Sequence, residues 1–251
     1  MDDYKVHRTF LKDSLRKSID FRQSAQHRGA PAPPLEKPTP NDALRIALPE
    51  KKIWQPDIPQ SDVVETIASR KSRRSFNTSS LSIQELSFLL WATQGLRDPP
   101  GNTPQYRNVP SAGARHSFET YLFIHRVEMI PKGLYRYLPL THELVLLYEE
   151  HQTLKTEISS AVFGQKFVTN SAVTFVWATV PERMEWRYLE AAHRVILLDA
   201  GHVCQNLYLA CENIGAGTCA IAAYDQEAMD SLLGVNGESE FTVYLAPVGK
   251  H

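Results

Sequence analysis

Residues 185–224 read EWRYLEAAHRVILLDAGHVCQNLYLACENIGAGTCAIAAY, a stretch in which apolar residues recur between polar ones and which ends in a glycine-containing segment. Its apolar residues recur at helical spacing on more than one face, which is typical of a helix that is largely buried. Gly215 suits the position just beyond the end of such a helix. We therefore predict a long central helix over about 185–213, followed by a strand over 218–224.

The segments around this helix carry helix and strand signals without a regular βαβ rhythm. Capping patterns predict helices that begin after Asp62, Ser82 and Asp225, and the second of these should end at Gly95. Runs of β-branched and aromatic residues predict strands over 121–124, 172–180 and 241–249, and a hairpin made of 133–138 and 143–148. This order favours an α+β fold over a doubly wound sheet.

The charge and composition of the chain exclude several classes of protein. Lys and Arg number 27 against 28 Asp and Glu, so no basic field draws the chain to nucleic acid or to an anionic membrane. The start, MDDYKVHRTF, lacks the apolar centre of a signal peptide, and no apolar run approaches the roughly 20 residues of a membrane span. Three cysteines suit a reducing compartment. We expect a cytoplasmic protein.

The first 60 residues differ in composition from the rest of the chain. Eight prolines fall between residues 31 and 59, and each one fixes φ and removes a backbone donor, which opposes a regular helix. Apolar residues favour an extended arm that docks on the domain or on a partner, whereas a disordered tail is the alternative. These residues are Leu44, Ile46, Leu48, Ile53 and Trp54. We therefore predict a proline-rich N-terminal arm, 1–60, and one domain, 61–251.

Two familiar patterns are present without the context that they need. Gly215, Gly217 and Ala220 fit G-x-G-x-x-A, but that fingerprint binds a dinucleotide only after a strand and at the start of a helix. Here it follows a helix. His193 and His202 are nine residues apart, so they face opposite sides of one helix. We predict neither a dinucleotide fold of this type nor a metal site.

Two short segments carry residues suited to a ligand. Residues 70–76 read RKSRRSF, and arginine side chains donate paired hydrogen bonds to phosphate; a solvated run of charge is the alternative. Residues 109–116 read VPSAGARH, a run of small side chains before a strand. Such a run lets the backbone approach a flat ligand closely, although a simple turn is the alternative.

Taken in order, these segments resemble the nitroreductase superfamily. The motifs are RRS at 73–75, LLWATQG at 89–95, VPSAGA at 109–114, DAGHVCQNLYLACENIGAGTCAIAAYD at 199–225 and FTVYLAPVGK at 241–250. The similarity runs from about residue 60 to the end and is greatest to the SagB-type branch, whose members oxidise thiazolines and oxazolines to azoles with FMN. It implies a homodimer and a nitroreductase-like fold, in which helices flank a central mixed or antiparallel sheet around a long buried helix.

The resemblance also implies a cofactor, FMN, with NAD(P)H as a candidate electron donor. The expected FMN-binding residues are Arg73, Arg74, Ser75, Pro110, Ser111, Ala112, Gly113, Gln165, Ile221, Ala222, Ala223 and Lys250. Arg73, Arg74 and Ser75 would hold the phosphate, ribityl chain and pyrimidine edge, and Lys250 would add positive charge at the phosphate. The loop over 110–113 would pack on the flavin of the other subunit. Gln165 would lie at the pyrimidine edge, and residues 221–223 would lie beneath the ring.

The expected substrate side departs from the SagB-type pattern. Azoline-oxidising relatives place a Lys-Tyr pair, the substrate base, just before the long helix, and the matching pair here is Arg187-Tyr188. Arginine stays protonated near neutral pH and cannot act as a base, so we assign no catalytic residue. Arg187 and Tyr188 are expected to bind substrate or to start the helix.

The function implied by the resemblance is two-electron transfer through flavin N5, with ping-pong kinetics, on a small organic substrate. Two alternatives stay open. One is an azoline-to-azole dehydrogenase of peptide natural-product biosynthesis, and the other is a non-catalytic subunit of a biosynthetic complex.

Overall fold

The computed structural model describes residues 4–97 and 106–251, which form a seven-stranded sheet with helices on both faces. The strands are β1 (Arg45–Ala47), β2 (Phe118–Ile124), β3 (Gly133–Leu138), β4 (Glu143–Glu149), β5 (Val173–Thr179), β6 (Ala216–Thr218) and β7 (Phe241–Lys250). Their spatial order is β1-β4-β3-β2-β5-β7-β6, and neighbouring strands are antiparallel. The α+β class, the hairpin and the strands predicted over 121–124, 172–180 and 241–249 are confirmed.

Local capping decides where three of the helices begin. The helices are α1 (Lys5–Phe10), α2 (Lys51–Trp54), α3 (Val63–Ser69), α4 (Ile83–Gln94), α5 (Leu154–Ala161), α6 (Lys166–Thr169), α7 (Glu182–Tyr188), α8 (Ala192–Asn213) and α9 (Gln226–Leu233). Asp62 and Asp225 each accept hydrogen bonds from backbone N–H groups of the first turn. Ser82 and Glu85 form a reciprocal capping box, and α4 ends at Gly95 as predicted.

The neighbouring strands β2 and β5, in the middle of the sheet, are buried on both faces because each face carries its own layer of helices. Alternate residues of β2 enter different cores, since successive side chains of a strand point to opposite faces. Leu122 packs with α4 and α8, whereas Phe123 packs with α5 and α9. This burial explains why the sequence of β5 is a continuous run of β-branched, aromatic and small residues, in which Thr174 and Thr179 are buried as well.

The single helix predicted over 185–213 is wrong, because the chain breaks into α7 and α8. Leu189 has φ +48°, which interrupts the helical backbone between them. The carbonyl of Trp186 accepts a hydrogen bond from the N–H of Gln26 at 2.9 Å, in place of a helical donor four residues later. Helical periodicity cannot report a bond to a residue so distant in sequence. The long helix α8 is nevertheless central, and Gly215 follows its end with φ +63°.

The strand predicted over 218–224 is also wrong. The strand here is β6, which ends at Thr218, and beyond it Ile221 alone forms a bridge, to Leu245. Side chains form hydrogen bonds with the backbone groups that would otherwise pair with a neighbouring strand. The N–H of Ala220 donates to the Tyr208 hydroxyl, and the carbonyl of Ala223 accepts from the Gln165 amide, both at 2.9 Å.

The proline-rich segment lies against the sheet. It adds β1 to the edge at β4, and Leu48, Trp54 and Ile58 are buried in the core beside α4. Its backbone carbonyls also accept hydrogen bonds from two buried guanidinium groups. Arg107 donates to the carbonyl of Leu35, and Arg136 donates to the carbonyl of Pro38. Leu44 and Ile53, which were expected as anchors, are more than half exposed. The boundary at residue 60 stays a prediction.

Candidate active site

The two predicted arginines lie beside the C-terminal end of α8. The N–H of Arg73 donates to the carbonyl of Thr218 at 2.9 Å, so β6 holds this segment in place. The Arg73 guanidinium pairs with Glu212 at 2.7 Å, while its Nε is buried without a hydrogen-bond partner. Its aliphatic stem crosses Gly217, where a Cβ would come within 2.3 Å of Arg73 Cδ. The absence of a side chain at Gly217 therefore leaves space for the Arg73 stem. This explains the glycine without a dinucleotide fingerprint.

Arg74 and Ser75 are exposed next to this buried pair. The Arg74 guanidinium lies 6.0 Å from the centre of the Phe167 ring, which connects it to α6. Lys250 is engaged within the protein. Its Nζ donates to Glu85 Oε1 and to the carbonyl of Ile214, each at 2.5 Å, so it offsets the negative end of α8. Its predicted role at a phosphate stays a prediction.

The predicted ring-binding residues lie together. Gln165 Nε2 donates to the carbonyls of Val162 and Ala223, at 3.0 and 2.9 Å. Ile221 is buried and bonded to Leu245, whereas Ala222 and Ala223 are exposed and present only methyl groups. We call the set 73–75, Gln165, 221–223 and Lys250 the arginine half-site.

The small-residue loop packs on the other end of α8. The N–H of Ala112 donates to both carboxylate oxygens of Asp199, each at 3.3 Å, and burial raises the pKa of Asp199. Gly113 has φ +59°, and a Cβ there would lie 2.7 Å from the Tyr188 hydroxyl oxygen and 2.9 Å from Arg187 Cδ. The loop is therefore in contact with the predicted substrate-side residues. We call residues 110–113 with Arg187 and Tyr188 the loop half-site.

The two half-sites are well separated within one chain. Asp199 supports the loop half-site and Glu212 supports the arginine half-site, and these residues are 13 positions apart on α8. At a rise of ~1.5 Å per residue, the two supports are about 20 Å apart along the helix axis.

Comparison with known proteins assigns this chain to a family. The family model "Nitroreductase family" matches residues 67–250. The chain belongs to the nitroreductase family. It is 30% identical over 199 residues to a candidate nitroreductase of Methanocaldococcus jannaschii, covering 79% of this chain and 96% of that protein. Membership of this family supports the prediction that the chain is an oxidoreductase.

Two further matches are a trifolitoxin-processing protein and a chain of a microcin synthetase complex. The chain is 27% identical over 146 residues to the trifolitoxin-processing protein TfxB of Rhizobium leguminosarum bv. trifolii, covering 57% of this chain but only 39% of that protein. It also shares its fold with a chain of the Escherichia coli microcin synthetase McbBCD complex, with a TM-score of 0.61 and 20% identity. That match covers 78% of this chain and 76% of the microcin synthetase chain.

Nitroreductases usually use a flavin, and the arginine half-site fits the phosphate end of FMN. Buried polar atoms are nearly always hydrogen-bonded, so the orphaned Nε of Arg73 indicates a missing acceptor. Arg74 and Ser75 add exposed donors beside it. The exposed methyl groups of Ala222 and Ala223 leave room for a flat ring.

Sequence reasoning missed His116, Arg107 and Arg115 at the loop half-site. His116 and Arg107 line a cavity of about 550 Å³ beside the loop, and Arg187 lines it too. Burial, followed by the positive charges of Arg107 and Arg115, lowers the pKa of His116 to about 3, so its imidazole is neutral at pH 7. The VPSAGARH motif contained this histidine, but its burial depends on tertiary packing that the motif does not reveal.

No helix of the described ranges 4–97 and 106–251 is long and apolar enough to cross a membrane.

Proposed function

We propose that this nitroreductase-family chain is an FMN-dependent oxidoreductase that acts on a small organic substrate with ping-pong kinetics, and that NAD(P)H is its electron donor. The buried Arg73 Nε without an acceptor, beside the exposed Arg74, is the observation that carries this proposal. Bound FMN would supply two-electron chemistry at N5. The protein binds it, orients it and tunes its charge.

The residues of the arginine half-site divide this work. Arg74 and Ser75 are exposed donors for the phosphate and ribityl chain, and Arg73 is fixed by Glu212 at their side. Gln165 is aligned by two backbone carbonyls, which leaves its amide oxygen available for the pyrimidine edge. The positive charge of the arginines would also stabilise the anionic reduced flavin.

Titration of the apo-protein with FMN tests this assignment. Arg74→Ala should weaken FMN binding by about 10- to 100-fold, the value of one charge-assisted hydrogen bond. Arg45→Ala is the matched control, because Arg45 pairs with Glu143 at the far edge of the sheet. Equal FMN affinities for Arg74→Ala and the wild type would remove Arg74 from the site. A wild type that binds no FMN would refute the proposal.

A homodimer would bring the two half-sites together, since the loop half-site of one subunit could cover the arginine half-site of the other. Supporting this proposal, α8 exposes Leu197 and Leu198, and α3 exposes Val63, Val64 and Ile67, each at 49% or more. Apolar side chains concentrated on neighbouring helices of a monomer mark an interaction surface. Obligate interfaces commonly bury roughly 2,000 Å² or more.

Light scattering at low protein concentration tests the dimer. Leu198→Lys should shift the protein toward monomer and lower its FMN affinity together, because a charge would be buried at the interface. Leu147→Lys is the control, since Leu147 is 41% exposed on β4 and lies outside this surface. A monomeric wild type with full FMN occupancy would contradict the dimer.

An azoline-to-azole dehydrogenase is the second candidate function. The similarity to a trifolitoxin-processing protein and to a microcin synthetase chain favours it. Arg187, which occupies the position of the expected base, argues against it, because its guanidinium stays protonated. A non-catalytic subunit of such a complex is a third candidate, and turnover distinguishes it from both enzymes.

Single-turnover assays with a thiazoline peptide and a nitroaromatic separate these candidates. General-base catalysis is worth ~10²–10⁴ in rate, so the wild type should reduce the nitroaromatic and form no azole above background. Arg187→Lys can restore a base if burial or the neighbouring Arg115 lowers the pKa of the lysine. Rapid azole formation by the wild type would establish the dehydrogenase instead.

A further inference from the structure

A cavity of about 610 Å³ lies between an N-terminal segment, residues 16–27, and the end of α7. Phe21, His27 and Tyr188 give it aromatic walls, and Arg187 lines it on the side of α7. Arg187 also lines the 550 Å³ cavity beside the loop, so this side chain lies between the two spaces. In the described part of the chain, no Asp or Glu lines either cavity.

The outer wall of this cavity is fastened to the domain. The N–H of Gln26 donates to the carbonyl of Trp186 at 2.9 Å, and Trp186 Nε1 donates to the carbonyl of Ala30 at 3.0 Å. Nearer the N-terminus, Asp13 forms an ion pair with Arg194 of α8 at 3.2 Å. These bonds hold the wall in one position, as a specific binding site requires.

The arginine side chains around the cavity differ in whether a carboxylate lies close enough to neutralise their charge. Arg16 pairs with Asp13 at 2.8 Å. By contrast, within residues 4–97 and 106–251 no carboxylate lies within 4.0 Å of the Arg187 or Arg115 guanidinium. Arg115 Nε is buried without a hydrogen-bond partner, and burial, together with the charge of Arg187, lowers the pKa of Arg115. Two neighbouring cations therefore repel each other without an anion between them.

We propose that this cavity binds a small aromatic organic acid, whose carboxylate pairs with Arg187 and whose ring contacts Phe21 and Tyr188. The acid is the substrate of the oxidoreductase, so the inference rests on the proposed function. The planar fork of arginine matches a carboxylate, and the anion would also relieve the repulsion between Arg187 and Arg115. A neutral amide of the same shape leaves that repulsion in place.

The FMN-loaded, full-length enzyme tests this with para-nitrobenzoate and para-nitrobenzamide, which differ in charge and little in shape. The KM for nitro reduction is measured for both, and calorimetry gives the Kd of benzoate and benzamide. Arg187→Gln should weaken binding of the acid by about 10- to 100-fold and leave the amide unchanged. Phe21→Ala should weaken binding of both probes by a similar factor, because ring contact does not depend on charge. Arg28→Gln, an exposed cation of the same region, should change neither.

The outcomes separate this inference from the proposed function. Equal affinity of the wild type for benzoate and benzamide, or no effect of Arg187→Gln, overturns the inference even if nitro reduction is brisk. Failure to reduce either nitro compound contradicts the proposed function, while calorimetry still decides whether the acid binds. If Arg187→Gln raises the KM for NADPH and spares the acid, the anion is the phosphate of the dinucleotide, and the organic acid is refuted.

Discussion

Two buried histidines should make the protein lose stability as the pH falls. His116 lies behind the loop half-site, and His125 follows β2; each is at least 96% buried. Burial, together with neighbouring positive charges, lowers the pKa of His116 to about 3 and that of His125 to about 4. Their pKa in the unfolded chain is near 6.5. Below that pH the unfolded state binds more protons, so the stabilisation present above pH 6.5 is lost on acidification.

The size of the loss follows from these pKa values. At a pH of about 5, an unfolded-state pKa near 6.5 stabilises the unfolded chain by RT ln(1 + 10^1.5), or about 2 kcal/mol per histidine. Both folded-state pKa values lie below that pH, so the folded protein gains almost nothing. Glu36 and Asp199 act in the opposite direction, because burial raises their pKa and the folded state gains protons as the pH falls. The difference between matched variants therefore isolates the contribution of one histidine.

Urea unfolding at about pH 7.5 and about pH 5, at one fixed protomer concentration, measures that difference. His116→Gln cannot titrate, so its free energy of unfolding should fall by about 2 kcal/mol less than that of the wild type between the two pH values. His151→Gln is the control, because His151 is exposed in the turn before α5. If wild type and His116→Gln lose the same free energy, His116 is not held neutral by burial, and the reasoning fails.

Three further changes test local parts of the fold. Ser82→Ala removes half of the capping box with Glu85 and should lower the free energy of unfolding by about 0.5–2 kcal/mol, measured by denaturant titration. Gly113→Ala places a side chain at φ +59° against Tyr188; thermal unfolding should show a cost of about 1–2 kcal/mol, and the KM for substrate should rise. Trp54→Ala empties a site where two rings of α4 lie 5.2 and 5.3 Å away and should cost about 3–5 kcal/mol; a loss below ~1 kcal/mol would show that the arm is not part of the core.

The elements that were predicted correctly depend on nearby residues. The capping box of α4 needs only Ser82 and Glu85, three positions apart, and β5 is recognisable because residues buried on both faces form one continuous β-branched and aromatic run. The prediction of a strand over 218–224 was wrong because the apolar residues of this segment follow the same pattern as those of a real strand. Instead, the N–H of Ala220 donates to the Tyr208 hydroxyl and the carbonyl of Ala223 accepts from the Gln165 amide, and both side chains lie outside the segment.

Only part of the candidate site could be predicted from the sequence. The motifs around Arg73 and Gly113 predicted both half-sites, since residue type and order carry that signal. They could not reveal that Glu212 pairs with Arg73, because the carboxylate belongs to α8 and the distance depends on the packing of α3 against it. The wall that contains Phe21 lay in the region predicted as an arm, and its place beside Tyr188 follows from the fold.

The break before α8 shows why the substrate side was the hardest part to predict. In an uninterrupted helix, Tyr188 would lie one turn before Ala192, which is fully buried, and its side chain would point toward the same core. Leu189 instead adopts φ +48°, a conformation that costs a non-glycine residue about 1–3 kcal/mol and persists only where the surroundings enforce it. The bond from Gln26 to the Trp186 carbonyl lies at this break and connects it to the cavity wall. The strained residue thus directs Tyr188 to the loop half-site, and a departure from local helical preference coincides with the proposed substrate site.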